Sequence, residues 1–411
     1  MTARRSRTLA LLQTLVDTAN ELNHVDALTT RYAYRALAEV RRAAPHAVDH
    51  VLDYPSVGAW ATRTVLLLRR GATTTARPGD LATVAAAAAV HGGVPMTIRL
   101  APDPSRMVLP LPSLGFALVR SPQGDICLQS DGDATELIVA GTTVRIPADP
   151  HQDESRWRGI PKITVNKHRQ RADFLVDGWT STYLPPELSS RQRVFDPAEM
   201  EQWRSLIAGG WDLLVLHHPE MAREIAAAIR VLTPLPAPPC GLTSATLADG
   251  FGCVFLSIPP DARSVAVTLA HELQHAKLTV IMDLFSLLES DTGELFYTPW
   301  RTDPRPLVGL LHGTYAHLSI AGFWRRQRHH EPDAPDARYA HTEYARWRQA
   351  TRDVASSLLA SGRLTATGRF FVSAMVQVLD EWASDAIPDE ALTLARQVAQ
   401  EHRTRAARGA R

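Results

Sequence analysis

The sequence predicts an α+β protein that is mostly helical and has three parts. Apolar residues recur at helical spacing up to about residue 92, and short strand-like runs separated by turn residues occupy about 93–190. Helical spacing then resumes and includes a pattern typical of a metal-binding helix. We therefore expect a helical N-terminal region at 1–92, a β-rich section at 93–190 and a helical catalytic region at 191–411.

Capping and breaking residues mark the borders of these parts. An alanine-rich helix is expected to end at Gly92 and Gly93, and His91 is interpreted as a charge at its C-terminus rather than a metal ligand. Asp196, followed three residues later by Glu199, predicts the capped start of the first helix in the third part.

Composition argues against several classes of protein. The chain has 411 residues, of which 45% are hydrophobic, and its 44 basic and 43 acidic residues leave a net charge of +1, unlike a nucleic-acid binder. Three cysteines without C-x-x-C spacing disfavour a disulfide framework or a cysteine zinc site. The N-terminal segment is typical of an amphipathic helix, and the alanine-rich run is too short to cross a bilayer. We therefore expect a soluble, cytoplasmic protein with no nucleic-acid or membrane partner.

The segment His271-Glu272-Leu273-Gln274-His275 has the pattern H-E-x-x-H. Residues four apart share one face of a helix, so both imidazoles can bind one metal ion, whereas Glu272 points away from that face. The run from Val265 to Leu288 has no glycine or proline and is apolar on nearly every side, which favours a buried helix. Buried imidazoles need partners, and the simpler interpretation is a pair of hydrogen-bonded core histidines.

A catalytic metal ion needs a third protein ligand and open coordination positions. His312 is favoured because it lies in an apolar helix that a short connection would fold back antiparallel to the metal helix. Glu294, in polar sequence, and Asp303, in an arginine-containing loop, are the alternatives. His317, five residues past His312, is expected to face another way and to have a structural role.

Two chemistries fit such a metal ion. With Zn(II) and Glu272 as general base, the site would activate water and cleave a peptide bond. With Fe(II) and a chelating 2-oxo acid, it would use O₂ to hydroxylate a C–H bond. The second chemistry needs a cation for the distal carboxylate of the 2-oxo acid, and Arg301 and Arg305 are candidates because guanidinium groups bind carboxylates bidentately. The plainer interpretation is that both are solvated loop arginines.

Two further motifs follow H-E-L-Q-H in the stretch from about Phe251 to Trp324: P-W-R-x-D-P-R-P and L-L-H-G-x-Y-A-H. This combination resembles the 2-oxoglutarate-dependent, H-E-x-x-H-type peptide β-hydroxylases of bacterial peptide natural-product clusters. The resemblance implies Fe(II), 2-oxoglutarate and O₂, with a ribosomally made precursor peptide as substrate. It also implies that His271, His275 and His312 are the metal ligands and that the loop with Arg301 and Arg305 is the co-substrate site.

The sequence therefore predicts an Fe(II)- and 2-oxoglutarate-dependent dioxygenase that hydroxylates a side-chain β-carbon of a precursor peptide. Two other functions remain open: a zinc metallopeptidase with Glu272 as general base, and a non-catalytic peptide-binding scaffold. The intact H-E-x-x-H pattern counts against the scaffold.

Overall fold

A computed structural model of the chain describes residues 2–101, 108–119, 126–139, 141–178, 195–239, 241–290, 292–331 and 333–409. Helix makes up 57% of the structure and strand 18%, with helices at both ends and a β-rich region between them. The predicted fold class, α+β and mostly helical, is confirmed.

Five helices form the N-terminal part: α1 (Thr2–Glu21), α2 (Ala27–Ala43), α3 (Pro45–Leu52), α4 (Pro55–Arg69) and α5 (Leu81–Gly92). The alanine-rich α5 is buried along nearly its whole length, and it ends where Gly93 takes a left-handed conformation with φ of 56°. Burial lowers the pKa of His91, in the last turn of α5, to about 3. His91 is therefore neutral at pH 7, and the prediction of a charge at this helix end is wrong.

In the described residues of the next part there are nine strands: β1 (Met96–Leu100), β2 (Val108–Leu111), β3 (Gly115–Leu118), β4 (Ile126–Ser130), β5 (Thr135–Val139), β6 (Thr142–Ile146), β7 (Trp157–Gly159), β8 (Lys162–Lys167) and β9 (Gln170–Val176). Strands β1, β4, β5 and β6 form an antiparallel sheet in the order β1-β4-β5-β6, and β2, β3 and β7 form a second antiparallel sheet in the order β2-β3-β7. The apolar faces of these sheets share one core with the N-terminal helices.

The C-terminal part contains α6 (Pro197–His217), α7 (Pro219–Ala228), β10 (Val231–Leu235), β11 (Ser244–Ala245), β12 (Cys253–Ser257), α8 (Ala262–Leu284), β13 (Leu295–Thr298), β14 (Arg301–Pro306), α9 (Leu307–Gln327), α10 (Ala334–Ala360), α11 (Ala366–Glu381) and α12 (Asp389–Gly409). The Asp196 carboxylate accepts a hydrogen bond from the Glu199 amide at 2.7 Å, so the predicted helix cap is confirmed.

A five-stranded mixed sheet in the order β11-β12-β10-β9-β8 joins the middle of the chain to its C-terminal part. Strand β10 lies parallel to both β9 and β12. Strands β8 and β9 lie before residue 190, in the predicted β-rich section, whereas β10, β11 and β12 lie after it. The expected border near residue 190 therefore divides the strands of one sheet between two of the predicted parts. Most of the second large core lies between this sheet and helices α6 to α10.

Helix α8 crosses α6 at a pair of glycines. A β-carbon at Gly209 would lie 2.9 Å from the Ala262 β-carbon, and one at Gly210 would lie 2.7 Å from Val265 Cγ1. Small residues are therefore required where the two helices approach closely. None of the described helices is long and apolar enough to cross a membrane.

Candidate metal centre

The helix that carries H-E-x-x-H has a well-defined start. Strand β12, buried at every position, leads into it, and the Asp261 carboxylate accepts a hydrogen bond from the Ser264 amide at 2.7 Å. The helix then continues without a glycine or proline to Leu284. The predicted metal helix is thus present, packed between α6 and α9.

His271 and His275 lie on one face of α8, as their four-residue spacing predicts. Their Nε2 atoms are 3.1 Å apart, and the His271 side chain keeps 18% of its surface exposed. Metal–nitrogen bonds of about 2.0–2.1 Å place two ligand nitrogens of one ion roughly 3 Å apart. The two imidazoles are therefore spaced to bind a common ion that solvent can reach.

Burial keeps these imidazoles neutral. Desolvation lowers the pKa of His271 to about 4, and desolvation together with the neighbouring His271 lowers that of His275 to about 3. Neutral imidazole has one lone pair, the form that binds a metal ion. Nδ1 of His271 is buried and has no hydrogen-bond partner among the described residues. If Nε2 of His271 binds a metal ion, the proton of the neutral ring is on Nδ1.

Glu272 belongs to the same cluster, although its side chain is only 1% exposed. The Ser244 hydroxyl donates to Oε1 at 2.7 Å, and the Thr246 hydroxyl donates to Oε2 at 2.5 Å. Strand β11, at the sheet edge, places Ser244 against α8. Ligand atoms of His271, Glu272 and His275 all lie within 4.8 Å of one another, so this group can hold a metal ion.

His312 is brought to the metal helix by α9, as the sequence predicts. Its Nδ1 lies 3.5 Å from Nδ1 of His275, and the two rings are stacked with centroids 5.7 Å apart. This contact is on the ring nitrogen of His275 opposite to the one that faces His271. Burial lowers the pKa of His312, so it too is neutral at pH 7.

His317, five residues past His312 on α9, packs against the metal helix at a different point from His312. Its ring centroid lies 5.0 Å from that of His271, and the Trp300 indole stacks on its other side at 4.4 Å. A side chain at Gly313 would collide with this indole, which explains the glycine one turn before His317. Four histidines thus form a row across α8 and α9, which we call the histidine row: His312, His275, His271 and His317.

The tautomer of His317 follows from its hydrogen bond. Nδ1 lies 2.8 Å from the Gly313 carbonyl oxygen, which can only accept, so Nδ1 carries the proton. Burial lowers the pKa of His317 well below its usual value, and the ring is neutral. Nε2 of His317 therefore has a lone pair, which makes this residue a second ligand candidate from α9.

The segment with Arg301 and Arg305, expected to be a loop, is the hairpin β13–β14. The Arg301 and Arg305 side chains are 54% and 40% exposed, and both bind Asp303, at 2.9 and 3.2 Å. Hydrogen bonds from Arg301, with smaller effects from Arg305, hold the pKa of Asp303 below its usual range. Glu294 is exposed. In this arrangement, neither Asp303 nor Glu294 is part of the cluster around His271.

Arg346 of α10 is a cation near the histidine row that sequence reasoning missed. Its guanidinium lies 4.1 Å from the centroid of the Trp347 ring, and Trp347 packs against His317 with centroids 4.6 Å apart. The Arg346 side chain is 20% exposed and lies 3.5 Å from Glu343. No signal in the local sequence marks it, because the contact depends on how α10 packs against α9.

No protein-family model and no curated protein matches the chain. Assignment of a function therefore depends on the chemistry of the cluster. Two neutral imidazoles and one carboxylate form a donor set that both Zn(II) and Fe(II) accept.

Proposed function

We propose that the protein is an Fe(II)- and 2-oxoglutarate-dependent dioxygenase that hydroxylates a side-chain β-carbon of a ribosomally made precursor peptide. The observation that favours a hydroxylase over a peptidase is that two hydrogen bonds hold the Glu272 carboxylate in place. The likeness of the H-E-L-Q-H and P-W-R-x-D-P-R-P motifs to the peptide β-hydroxylases supports the same choice.

The metal ligands in this proposal are His271, His275 and one histidine of α9. His312 is the third ligand that the sequence favours, but its contact is with Nδ1 of His275, so its ring would have to turn to reach an ion between the two Nε2 atoms. The lone pair on Nε2 makes His317 the alternative. Bound Fe(II) with 2-oxoglutarate and O₂ would supply the oxidising power to convert a C–H bond to C–OH, with release of succinate and CO₂. The protein residues provide the neutral imidazoles, and the partly exposed His271 leaves one side of the site accessible from solvent.

Glu272 has a positioning role in this proposal. Both of its oxygens accept hydrogen bonds, from Ser244 and Thr246, and the side chain is buried. A peptidase base must take a proton from a metal-bound water and pass it on, which favours a carboxylate that is free to face that water. A carboxylate held by two hydroxyl donors is better suited to orient its neighbours in the metal site.

The distal carboxylate of 2-oxoglutarate would need an arginine. Arg301 and Arg305 remain candidates, and either one would have to exchange Asp303 for the co-substrate. Arg346 also lies near a carboxylate, that of Glu343 at 3.5 Å, but this contact is longer than those of Arg301 and Arg305 with Asp303, and Arg346 is more buried, beside Trp347. We propose Arg346 as the alternative co-substrate residue.

The second candidate function is a zinc metallopeptidase. One observation favours it: Oε1 of Glu272 lies 4.0 Å from Nε2 of His271, a separation that leaves the carboxylate close enough to contact a metal-bound water. The same residues would then act as two ligands and a base.

Mass spectrometry of a peptide substrate distinguishes the two functions. A short peptide encoded beside the gene is the first substrate to test, with Fe(II) and 2-oxoglutarate, in air and under nitrogen. We expect the intact peptide to gain one oxygen atom in air alone. Cleavage of the peptide with Zn(II), independent of O₂, would contradict the hydroxylase and support the peptidase.

A further inference from the structure

A large groove lies between the β13–β14 hairpin, α10 and α12, and none of the four histidines of the histidine row lines it. Its volume is about 1130 Å³. Apolar side chains form much of its surface, among them Phe296, Leu310, Val354 and Leu392. A concave surface of this size with apolar lining is typical of a ligand-binding site.

The walls of the groove are tied together. Oη of Tyr297, on β13, is hydrogen-bonded to Nδ1 of His402, on α12, at 2.9 Å. Tyr297 is nevertheless 42% exposed and lines the groove. The groove is thus formed before any ligand binds, which lowers the ordering cost of binding.

The charge of the groove is strongly one-sided. Its lining includes one acidic residue, Asp353, against four arginines: Arg346, Arg348, Arg396 and Arg403. Asp353 lies 3.9 Å from Arg403, a distance at which it offsets only part of this charge, and the Arg403 side chain is 61% exposed. An occupant with apolar groups and negative charges would complement this surface.

The groove leads toward the histidine row. One lining residue, Leu310, lies on α9, the helix that carries His312 and His317. Arg346 also lines it and lies over Trp347, the residue that packs against His317. Two side chains, those of Trp347 and His317, thus separate Arg346 at the groove from His271.

We propose that this groove binds an acidic segment of the peptide substrate, apart from the residue that is modified. The proposal depends on the proposed function in that it takes the substrate to be a peptide. The lining residues of α12 run from Leu392 to Ala407, which is roughly 22 Å at 1.5 Å per helical residue. This length suits several turns of a peptide helix, and the concave shape favours a peptide over a flat lipid surface.

Fluorescence anisotropy with a designed peptide tests the groove without any need for catalysis. The probe is a fluorescein-labelled amphipathic peptide with leucines on one face and glutamates on the other, and its counterpart has lysines in place of the glutamates. We expect the acidic probe to bind and the basic probe not to bind. Combined Arg396→Glu and Arg403→Glu substitutions should weaken binding of the acidic probe by about tenfold or more.

A matched control comes from the same helix. Arg405 and Arg408 line a different, shallow pocket on α12, so their replacement by glutamate makes the same charge change outside the groove. This control should retain the affinity of the unmodified protein. Equal losses in both double variants, equal binding of both probes, or binding to anionic phospholipid vesicles in place of the acidic probe would overturn the proposal.

The His271→Ala variant separates this proposal from the proposed function. It should bind the acidic probe as tightly as the unmodified protein does, because no histidine of the row lines the groove. If a peptide substrate is hydroxylated but the Arg396→Glu, Arg403→Glu variant has an unchanged KM for it, the groove assignment fails while the hydroxylase stands.

Discussion

Two clusters of histidines in this protein can be compared directly. The histidine row lies between α8 and α9, and a second cluster in the N-terminal half contains His50, His91 and His151. The rings of His50 and His91 have centroids 4.4 Å apart, close to the 4.7 Å between His271 and His275. Burial lowers the pKa of each histidine in both clusters.

The clusters differ in what their ring nitrogens face. Nε2 of His91 is hydrogen-bonded to the Ser113 hydroxyl at 2.8 Å, and Nδ1 of His151 to the Ile160 carbonyl at 2.9 Å. In the histidine row, by contrast, nitrogens of His271 and His275 face each other beside a carboxylate. Burial and low basicity alone therefore do not identify a metal site; the identifying feature is two lone pairs that converge on one point.

The largest effect expected from this comparison is on activity. His271→Ala or His275→Ala should abolish hydroxylation and lower metal affinity by roughly tenfold or more, because each removes a direct metal bond. His91→Ala, the matched change in the other cluster, should leave the rate within about threefold of the unmodified protein, since its hydrogen bond is structural. Succinate formation from 2-oxoglutarate in air measures all three variants. A similar loss in His91→Ala would remove the distinction between the clusters.

A smaller effect is expected at Glu272. Glu272→Gln should retain Fe(II) and lower the oxygen-dependent rate by about ten- to a hundredfold, as expected of a residue that orients metal ligands. The measurement is the rate at saturating iron and 2-oxoglutarate. A rate at background with iron still bound would mean that Glu272 transfers a proton, which favours the peptidase.

The smallest expected effect is on stability, and it involves the N-terminal cluster. His91 has a pKa of about 3 when folded, against 6.5 as its usual value, so below pH 6.5 the unfolded chain binds more protons. Stability should therefore fall as pH drops below 6.5, by at most about 1.4 kcal/mol per pH unit from this residue. Urea unfolding at about pH 7 and about pH 5 should show a smaller loss for His91→Gln than for the unmodified protein. An equal loss would mean that His91 does not contribute to this pH dependence.

Local sequence predicted the metal helix and its histidine pair well. Helix α8 can be predicted from local sequence alone, because its residues form a run without glycine or proline and include two histidines one turn apart. His312 was also placed correctly against α8, because a short connection makes consecutive helices antiparallel neighbours. Its role as a ligand stays a prediction.

Other parts of the site were missed because they depend on long-range packing. Ser244 reaches Glu272 only because β11 pairs with β12 at the sheet edge. The contact of His317 with His271 depends on how α9 packs against α8, with the Trp300 indole stacked on the His317 ring. Arg301 and Arg305 both pair with Asp303 because alternate residues share one face of β14. The prolines of this segment favoured the prediction of a loop rather than a strand.

The most direct test of the account is a titration of metal-free protein with Fe(II) under nitrogen, in which calorimetry measures the binding of the metal ion. The unmodified protein and the His50→Ala, His91→Ala double variant should each bind one ion per chain, whereas the His271→Ala, His275→Ala double variant should bind none. His312→Ala and His317→Ala, titrated in the same way, identify the third ligand as the one whose loss weakens binding by about tenfold or more. Undiminished binding of Fe(II) by the His271→Ala, His275→Ala variant would contradict the metal centre proposed for this protein.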